Sequence, residues 1–432
     1  MSAAPPTVKW PDAYAAPAMV AVWGTCRMIM AAVWFGRSWY IVADVAYYAQ
    51  QLGADGTHGL REYPTPVVWL LWGLFQAAGR DPARFFHLFV VMMLVLDAIT
   101  TALLWHLASR RAALYWTVFI ALVGPLVWSR LDLVPACLVA WALLLVRRRP
   151  AAAGVALALG AAAKFWPALL IGPLLSGRDE PGRRARGFLV AGGAAALASL
   201  AIDGWSRTIS PLVWQADRGL QIESVPATWL MLRHVVDPAV TVSYTVFNAY
   251  QVTGPGESAW LAVSSVLTVA AVALALVLGW IVGGGGAGWP GQDWRATRLV
   301  ERQDDLAWAR VTSAVAIVGA VIVANKTLSP QYVIWLAGPL ALLAGQALDR
   351  PRRTAPLLLG ALGLAVALAT QQIYPLHYDG LTHNPGGAQV SALLAVRNLL
   401  LVVMTVVATI WAVRTGRRVG RSARRYNGRS RA

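Results

Sequence analysis

Residues 151–175, "AAAGVALALGAAAKFWPALLIGPLL", carry the strongest indication of the fold in this sequence. Two apolar runs, 151–163 and 166–176, are separated there by Lys164 and Phe165. A straight helix needs about 20 residues to cross a hydrocarbon core ~30 Å thick, so neither run is long enough to cross alone. The two runs are therefore predicted to meet partway through a bilayer. Irregular backbone at that depth indicates a water-filled cavity beside it.

The rest of the chain has the same apolar character. Of its 432 residues, 58% are hydrophobic and 13% are charged, and several apolar runs exceed the length of an ordinary buried helix. The sequence predicts an all-α polytopic membrane protein, with about twelve transmembrane helices and external juxtamembrane helices, in one integral membrane domain of residues 1–432. The predicted spans lie near 16–35, 85–107, 113–129, 131–146, 151–163, 166–176, 187–205, 260–283, 308–325, 330–346, 355–372 and 391–413.

Basic residues predict the orientation of these spans. The net charge is +17, but the arginines are concentrated in short connectors and in the tail 414–432, which holds eight of them and no acid. Cytoplasmic loops of membrane proteins have this composition, so we predict the lipid bilayer, and no nucleic acid, as a partner. The loops 36–84 and 206–259 are then extracytoplasmic, provided that 63–78 dips into the outer face instead of crossing. The glycine-rich stretch 283–305 is predicted to be a flexible cytoplasmic linker.

Acidic and tyrosine side chains stand together in the first predicted loop. Asp44 lies in the helical pattern "VADVAYYAQQL", where Tyr47 and Tyr48 follow three and four residues later and so share its face. An ionised acid at the membrane surface can accept a proton from a hydroxyl group, which predicts a general base. The alternative is an acid at a helix N-terminus, stabilised by the helix dipole. Glu62 is expected to be a solvated loop acid, and Asp55, beside glycines, a turn residue.

Three cations occupy predicted junctions between apolar segments. They are Arg130 in "WSRLDLVP", Lys164 in "AAAKFWPAL" and Lys326 in "NKTLSPQYVIWL". Cations at the headgroup level can bind a phosphate group through charge-assisted hydrogen bonds. Snorkelling toward the interface is the alternative for each of them singly. Three on the same predicted side favour phosphate binding.

Other charges are predicted to pair. The loop sequence "QADRGLQIESVPATWLM" carries Arg218, Gln221 and Glu223 within two turns, and an Arg218–Glu223 salt bridge would account for two of them. Arg27 and Asp97 lie deep in predicted spans. Because a lone charge at that depth is costly, these two are expected to form a structural ion pair.

The order of these motifs resembles a known enzyme family. An acid followed by tyrosines comes after the first span, then "YPTP", "AGVALALGAAAKFWPALLIGPLL", "RGLQIESVPAT" and "NKTLSPQYVIWLAGPL". Over roughly residues 20–400, this order is similar to that of the polyprenol-phosphate-dependent glycosyltransferases of family 87, in the GT-C superfamily. The chain departs from the family pattern at Thr65, where a second proline is frequent, and at "SRLD", residues 129–132, in place of a "GQ.N" element.

The resemblance implies a GT-C-type helix bundle and a defined chemistry. Such enzymes face outward from the plasma membrane and take a sugar from a polyprenyl-phosphate carrier, and by analogy Asp44 would be the base that activates the acceptor hydroxyl, with inversion at the anomeric carbon. Lys164, Arg218, Lys326 and Arg130 would hold the donor phosphate. The residues expected to contact the substrates are Tyr47, Tyr48, Glu62, Tyr63, Gln221, Glu223, Gln331, Tyr332 and His377.

The sequence lacks a glycine-rich nucleotide-binding motif and a DxD motif, which favours a lipid-linked donor and predicts no metal ion and no cofactor. The resemblance implies a hexosyltransferase that transfers mannose. The basic composition, rich in Ala, Arg and Trp, is typical of a GC-rich bacterium, and by association we expect the acceptor to be a cell-envelope glycolipid, lipoglycan or glycan of an actinobacterium. Decaprenyl-phosphate arabinose is the competing donor. A lipid-linked sugar transporter or flippase is the alternative from another class, since short helices that meet in mid-membrane also form transport cavities. A membrane scaffold is the third possibility.

Overall fold

The computed structural model describes residues 12–36, 38–176, 180–283, 300–347 and 354–429, and these are almost entirely helical. The helices are α1 Asp12–Gly36, α2 Ser38–Asp55, α3 Thr65–Ala77, α4 Pro82–Leu107, α5 Arg110–Val123, α6 Leu133–Leu145, α7 Pro150–Ala163, α8 Ile171–Leu175, α9 Pro181–Ala216, α10 Thr228–Arg233, α11 Glu257–Val282, α12 Val300–Ala324, α13 Ala337–Ala347, α14 Thr354–Gln371, α15 Asp379–Thr382 and α16 Ala388–Arg429. Short 3₁₀ segments precede α6, α8 and α13, at Pro125–Ser129, Trp166–Leu170 and Pro330–Leu336.

Several helices begin at residues that suit a helix start. The Asp81 carboxylate accepts a hydrogen bond from the Arg84 backbone N–H at 2.8 Å, with proline as the first residue of α4. The Ser109 hydroxyl caps α5 by accepting from the Ala112 N–H at 3.1 Å. Both side chains satisfy donors that the first turn of a helix leaves unpaired.

Seven of the described helices are long and apolar enough to cross a membrane. About twelve spans were expected, and each expected segment overlaps a helix. However, α5, α6 and α7 have only 13 or 14 residues and are not among the seven long helices. At 1.5 Å per residue they are about 20 Å long, which is less than the ~30 Å hydrocarbon core. The seven long helices are Ala15–Gly36, Pro82–Leu107, Pro181–Ala216, Glu257–Val282, Asp305–Ala324, Pro356–Leu376 and Ala388–Val419.

The predicted loop boundaries differ from the observed helices. Segment 63–78 forms α3, a helix of 13 residues, and whether it dips or crosses stays a prediction. Helix α9 continues to Ala216, past the expected start of the second loop, and changes direction at Gly204, where φ is +73°. Helix α16 extends through most of the basic tail to Arg429. Residues 284–299 of the predicted linker 283–305 lie outside the described residues.

The alanine- and glycine-rich helix α7 packs closely along α9. A Cβ atom built on Gly154 would overlap the Arg184 carbonyl oxygen, and one on Gly187 would overlap the Ala151 carbonyl oxygen. Small residues at such positions allow the two backbones to approach each other closely. This contact positions the junction at Lys164 beside the C-terminal part of α9.

The expected ion pair between Arg27 and Asp97 is confirmed. The Arg27 guanidinium donates to the buried Asp97 carboxylate at 2.7 Å through both Nε and Nη2. The indole N–H groups of Trp23 and Trp116 donate to the same carboxylate at 3.0 and 2.8 Å. A buried charge is tolerated when it is paired and hydrogen-bonded in this way.

A β-hairpin lies in the second predicted loop, where no strand was expected. Strand β1, Thr241–Tyr244, pairs antiparallel with β2, Tyr250–Thr253. The Asn384 side chain continues the pairing, because its carboxamide accepts from the Val242 N–H at 3.1 Å and donates to the Val242 carbonyl at 3.2 Å. The hairpin is thereby fixed to the chain that leads into α16.

Candidate active site

Asp44 lies inside α2 and forms an ion pair with Arg130. Because α2 begins at Ser38, Asp44 is in its second turn, and the interpretation of Asp44 as an acid of the helix N-terminus is wrong. Its Oδ2 atom lies 2.8 Å from the Arg130 Nε, and 32% of its side chain stays exposed. Burial raises the pKa of the Asp44 carboxyl above its ordinary value, although the Arg130 guanidinium acts in the opposite direction.

Arg130 is held from several sides at the junction between α5 and α6. It donates to the Ile41 carbonyl at 3.1 Å, on the same helix as Asp44, and to the Tyr374 hydroxyl at 2.9 Å. Its side chain is only 5% exposed. A guanidinium enclosed in this way does not snorkel toward an interface, and it fixes the orientation of the Asp44 carboxylate.

A second ion pair lies at the junction between α7 and the following 3₁₀ segment. The Lys164 Nζ donates to Asp132 Oδ1 at 2.7 Å, and the same oxygen accepts from the Trp335 indole N–H at 2.7 Å. The Lys164 Nζ also lies over the Tyr332 ring at 4.2 Å from its centroid, and Trp335 stacks between Tyr332 and Trp166, with centroids 4.2 and 4.9 Å away. Charge pairing and cation–π contact thus hold a lysine that stays 21% exposed.

Tyrosines connect α2 to the segment that precedes α3. The Tyr48 and Tyr63 hydroxyls are 2.9 Å apart, and the Tyr47 hydroxyl donates to the Glu62 carboxylate. Glu62 was expected to be solvated, but its Oε2 atom is buried and has no hydrogen-bond partner among the described residues, and burial raises the pKa of this carboxyl. The expectation of a solvated loop acid is therefore wrong.

Arg207 fixes this segment from α9, just after the change of direction at Gly204. It donates through Nη2 to the Gly59 and Leu60 carbonyls at 3.1 and 3.2 Å, and through Nη1 to the Tyr63 carbonyl at 3.2 Å. The backbone that carries Glu62 is thereby held beside α9.

A cavity of roughly 140 Å³ opens beside these groups. Its lining combines two charged side chains, Glu62 and Lys164, with aromatic and aliphatic ones, and Phe165 and Leu212 on its rim are 44% and 59% exposed. A small number of polar groups in an apolar lining is typical of a ligand site. The cavity is lined by Glu62, Tyr63, Pro64, Lys164, Phe165, Trp166, Pro211, Leu212, Gln215, Val321, Asn325, Tyr332 and Trp335.

Two of the other predicted phosphate ligands lie close to this site. Arg218 donates to Gln221 Oε1 at 3.1 Å and acts electrostatically on both Asp44 and Glu62. Lys326 donates to the Ala216 carbonyl at 3.0 Å, and burial lowers its pKa, with the nearby Arg218 charge acting in the same direction.

Three predicted substrate contacts are not among the residues that line this cavity. Glu223 is fully buried and pairs with Arg397 at 3.3 Å, so the expected salt bridge with Arg218 is not the one that forms; burial raises the pKa of Glu223 to about 7. His377 is exposed and hydrogen-bonds to the Gln372 carbonyl at 2.7 Å. Gln331 is half-buried in the 3₁₀ segment Pro330–Leu336.

Comparison with known proteins assigns the family. The family model described as glycosyltransferase family 87 matches residues 63–300, which is more than half of the chain. The chain belongs to glycosyltransferase family 87. Searches of curated proteins and of solved structures find no match. With its apolar helices, the protein is a multi-pass membrane glycosyltransferase, and such an enzyme binds a sugar donor and an acceptor.

The residues matched by the family model include only part of the candidate site. They include Arg130, Lys164 and Arg218, whereas Asp44 and Lys326 lie outside residues 63–300. The structure brings Asp44 and Lys164 into one electrostatic cluster. Across the described ranges, no three His, Cys, Asp or Glu side chains form a group that could hold a metal ion.

Sequence reasoning missed several members of this site. Trp166 and Trp335 each follow a junction cation within the motifs quoted above, so an aromatic residue near each cation was the available signal. Tyr374, which supports Arg130, and Arg207, which supports the Glu62 segment, had no such signal, because both act on residues that are distant in sequence.

Proposed function

We propose that this family 87 enzyme transfers mannose from a polyprenyl-phosphate carrier to a cell-envelope glycolipid or glycan on the extracytoplasmic side of the plasma membrane. The single observation that carries the proposal is the partly exposed Asp44 carboxylate, oriented by Arg130 within electrostatic range of Lys164. The arginine-rich connectors support this orientation of the site. The short helices α5 to α8 would complete a GT-C-type bundle of about twelve helices around the cavity.

The proposed reaction is a single displacement. Asp44 accepts the proton of the acceptor hydroxyl as its oxygen attacks the anomeric carbon, the bond from that carbon to the phosphate oxygen breaks, and polyprenyl phosphate leaves with its electron pair. The configuration at the anomeric carbon is inverted. The raised pKa of Asp44 favours this role, since a stronger base takes a hydroxyl proton more readily.

The donor would occupy the cavity, which lies between α9, α12 and the 3₁₀ segments Trp166–Leu170 and Pro330–Leu336. Lys164, with Arg218 and Lys326 nearby, would neutralise the phosphate, and charge-assisted hydrogen bonds of this kind are stronger than neutral ones. The exposed Phe165 and Leu212 at the rim would contact the polyprenyl chain. Tyr332 would contribute to binding through the stack that holds Lys164.

A donor screen tests the proposal. The full-length chain in lipid nanodiscs is supplied with radiolabelled polyprenyl-phosphate mannose, decaprenyl-phosphate arabinose or a nucleotide sugar, together with a cell-envelope glycolipid fraction. We expect label in the acceptor from the mannose donor alone. Transfer from the arabinose donor would make the enzyme an arabinofuranosyltransferase, and transfer from the nucleotide sugar would contradict a lipid-linked donor. Movement of label between leaflets of a vesicle without any glycosylated product would contradict the enzyme and support a flippase.

A further inference from the structure

The tip of the β-hairpin lies over the Asp44 side of the site. The Asn248 side chain hydrogen-bonds to the Tyr47 hydroxyl, one turn along α2 from Asp44. Phe247 packs edge-on against Trp214 at 5.3 Å between centroids and lies under the Arg218 guanidinium at 5.9 Å. The hairpin therefore contacts α2, α9 and the Arg218 loop.

Two tyrosines face the site from the hairpin. Tyr244 and Tyr250 are directly opposed across the strands, two residues beyond the buried pair Val242 and Val252, so their side chains project from the same face as those valines. Their rings lie 5.0 Å apart, edge to face, yet Tyr244 is 61% exposed. Burial and the Asp44 carboxylate raise the pKa of the Tyr244 hydroxyl, which is consistent with its position near the base.

Further rings connect this pair to the base. Tyr250 packs against Tyr378 at 5.9 Å, Tyr378 packs against Tyr374 at 4.8 Å, and the Tyr374 hydroxyl accepts the hydrogen bond from Arg130. The exposed end of this series is at the hairpin, and the buried end is at the Asp44–Arg130 ion pair. An extended ligand with one end at Asp44 would thus lie along the hairpin.

The hairpin is preorganised for this role. The Ile222 N–H donates to the Tyr250 carbonyl at 3.2 Å, and the Val252 N–H donates to the Leu220 carbonyl at 2.9 Å, so the Arg218 loop pairs with β2. Asn384 holds the other strand, as described above. A surface fixed by these bonds loses little conformational entropy when a ligand binds.

We propose that Tyr244, Asn248 and Tyr250, with Tyr47 of α2, bind an acceptor glycan of two or more sugar units whose reacting hydroxyl faces Asp44. This proposal rests on the proposed function, because it assigns the acceptor to one side of the base. A sugar ring has an apolar C–H face that packs on an aromatic ring and hydroxyl groups that need hydrogen-bond partners, and the hairpin supplies both.

The test measures binding, independently of turnover. Octyl mannoside and octyl mannotrioside are titrated against the full-length chain in nanodiscs by microscale thermophoresis. We expect the trioside to bind more tightly than the monoside. In Tyr244→Ala, the trioside should bind about three- to tenfold more weakly, as expected for the loss of one ring contact, and the monoside almost unchanged. Tyr244→Phe should bind the trioside nearly as well as wild type.

Val246→Ala is the matched control, because Val246 is at the same hairpin tip and is 85% exposed. It should bind both probes as wild type does. The assignment would be overturned by an unchanged trioside affinity in Tyr244→Ala, by an equal loss in Val246→Ala, or by a wild type that does not distinguish the two probes. If no mannose is transferred in the donor screen but the trioside still binds more tightly than the monoside, the proposed donor is wrong and the glycan site stands. If mannose is transferred but the two probes bind equally, only the assignment of the hairpin is overturned.

Discussion

Replacing Asp44 with asparagine removes basicity and keeps the shape of the side chain. The asparagine oxygen can still accept a hydrogen bond from Arg130, which retains the Ile41 carbonyl and the Tyr374 hydroxyl as partners. The loss of charge beside a buried guanidinium should cost about 1–3 kcal/mol of stability, below the 3–5 kcal/mol typical of a fully buried pair, because Asp44 is partly exposed. The variant should therefore fold.

The effect on catalysis should be much larger. Removing a general base lowers the rate by ~10²–10⁴, or about 3–5 kcal/mol of transition-state stabilisation. We expect Asp44→Asn to lose transfer by that factor in the nanodisc assay with polyprenyl-phosphate mannose, with donor binding close to normal. Because the base must be ionised and its pKa is raised, wild-type activity should rise with pH through a value above the usual range of an aspartate.

Glu62→Gln is the control for this prediction. Glu62 is also a partly buried acid, and it lines the cavity. Among the described residues, no arginine forms an ion pair with Glu62 as Arg130 does with Asp44, and we expect a smaller loss. Asp44→Asn with most of its activity, together with an inactive Glu62→Gln, would exchange the two roles. Activity in both variants would refute the argument and direct attention to Glu223 and Asp379.

Three further predictions concern phosphate binding, packing and topology. Lys164→Ala should weaken donor binding in a titration with polyprenyl-phosphate mannose, and Lys164→Arg should keep part of the affinity because the charge remains; equal affinities would contradict a phosphate contact. Gly154→Ala should lower the midpoint of thermal unfolding, since its Cβ would overlap α9, whereas Gly193→Ala, with open space at its Cβ, should leave it unchanged or raise it slightly. Reporter fusions should place Gly56 outside and Arg149 inside, and an outside signal at Arg149 would make α3 a true span.

The apolar segments, their lengths and the charges between them can be predicted from the amino-acid sequence. The run 151–175 is too short on each side of Lys164 to cross alone, and α7 and α8 are short helices that end beside that residue. The ion pair between Arg27 and Asp97 could be predicted because a lone charge in an apolar segment is costly. The spacing of Asp44, Tyr47 and Tyr48 predicted one helix face, and α2 confirms the helix. These features are local, so the spacing of residues along a helix or the length of an apolar segment is enough to predict them.

The pairing of charged groups depends on how the helices pack against one another. Arg130 pairs with Asp44, Lys164 with Asp132, and Glu223 with Arg397 instead of the nearby Arg218. Each of these pairings depends on how helices that are distant in sequence pack together, so the local spacing of residues does not predict it. Likewise, the segment that carries Glu62 lies beside α9 because Arg207 binds its backbone, and Asn384 and the Arg218 loop hold the hairpin in place.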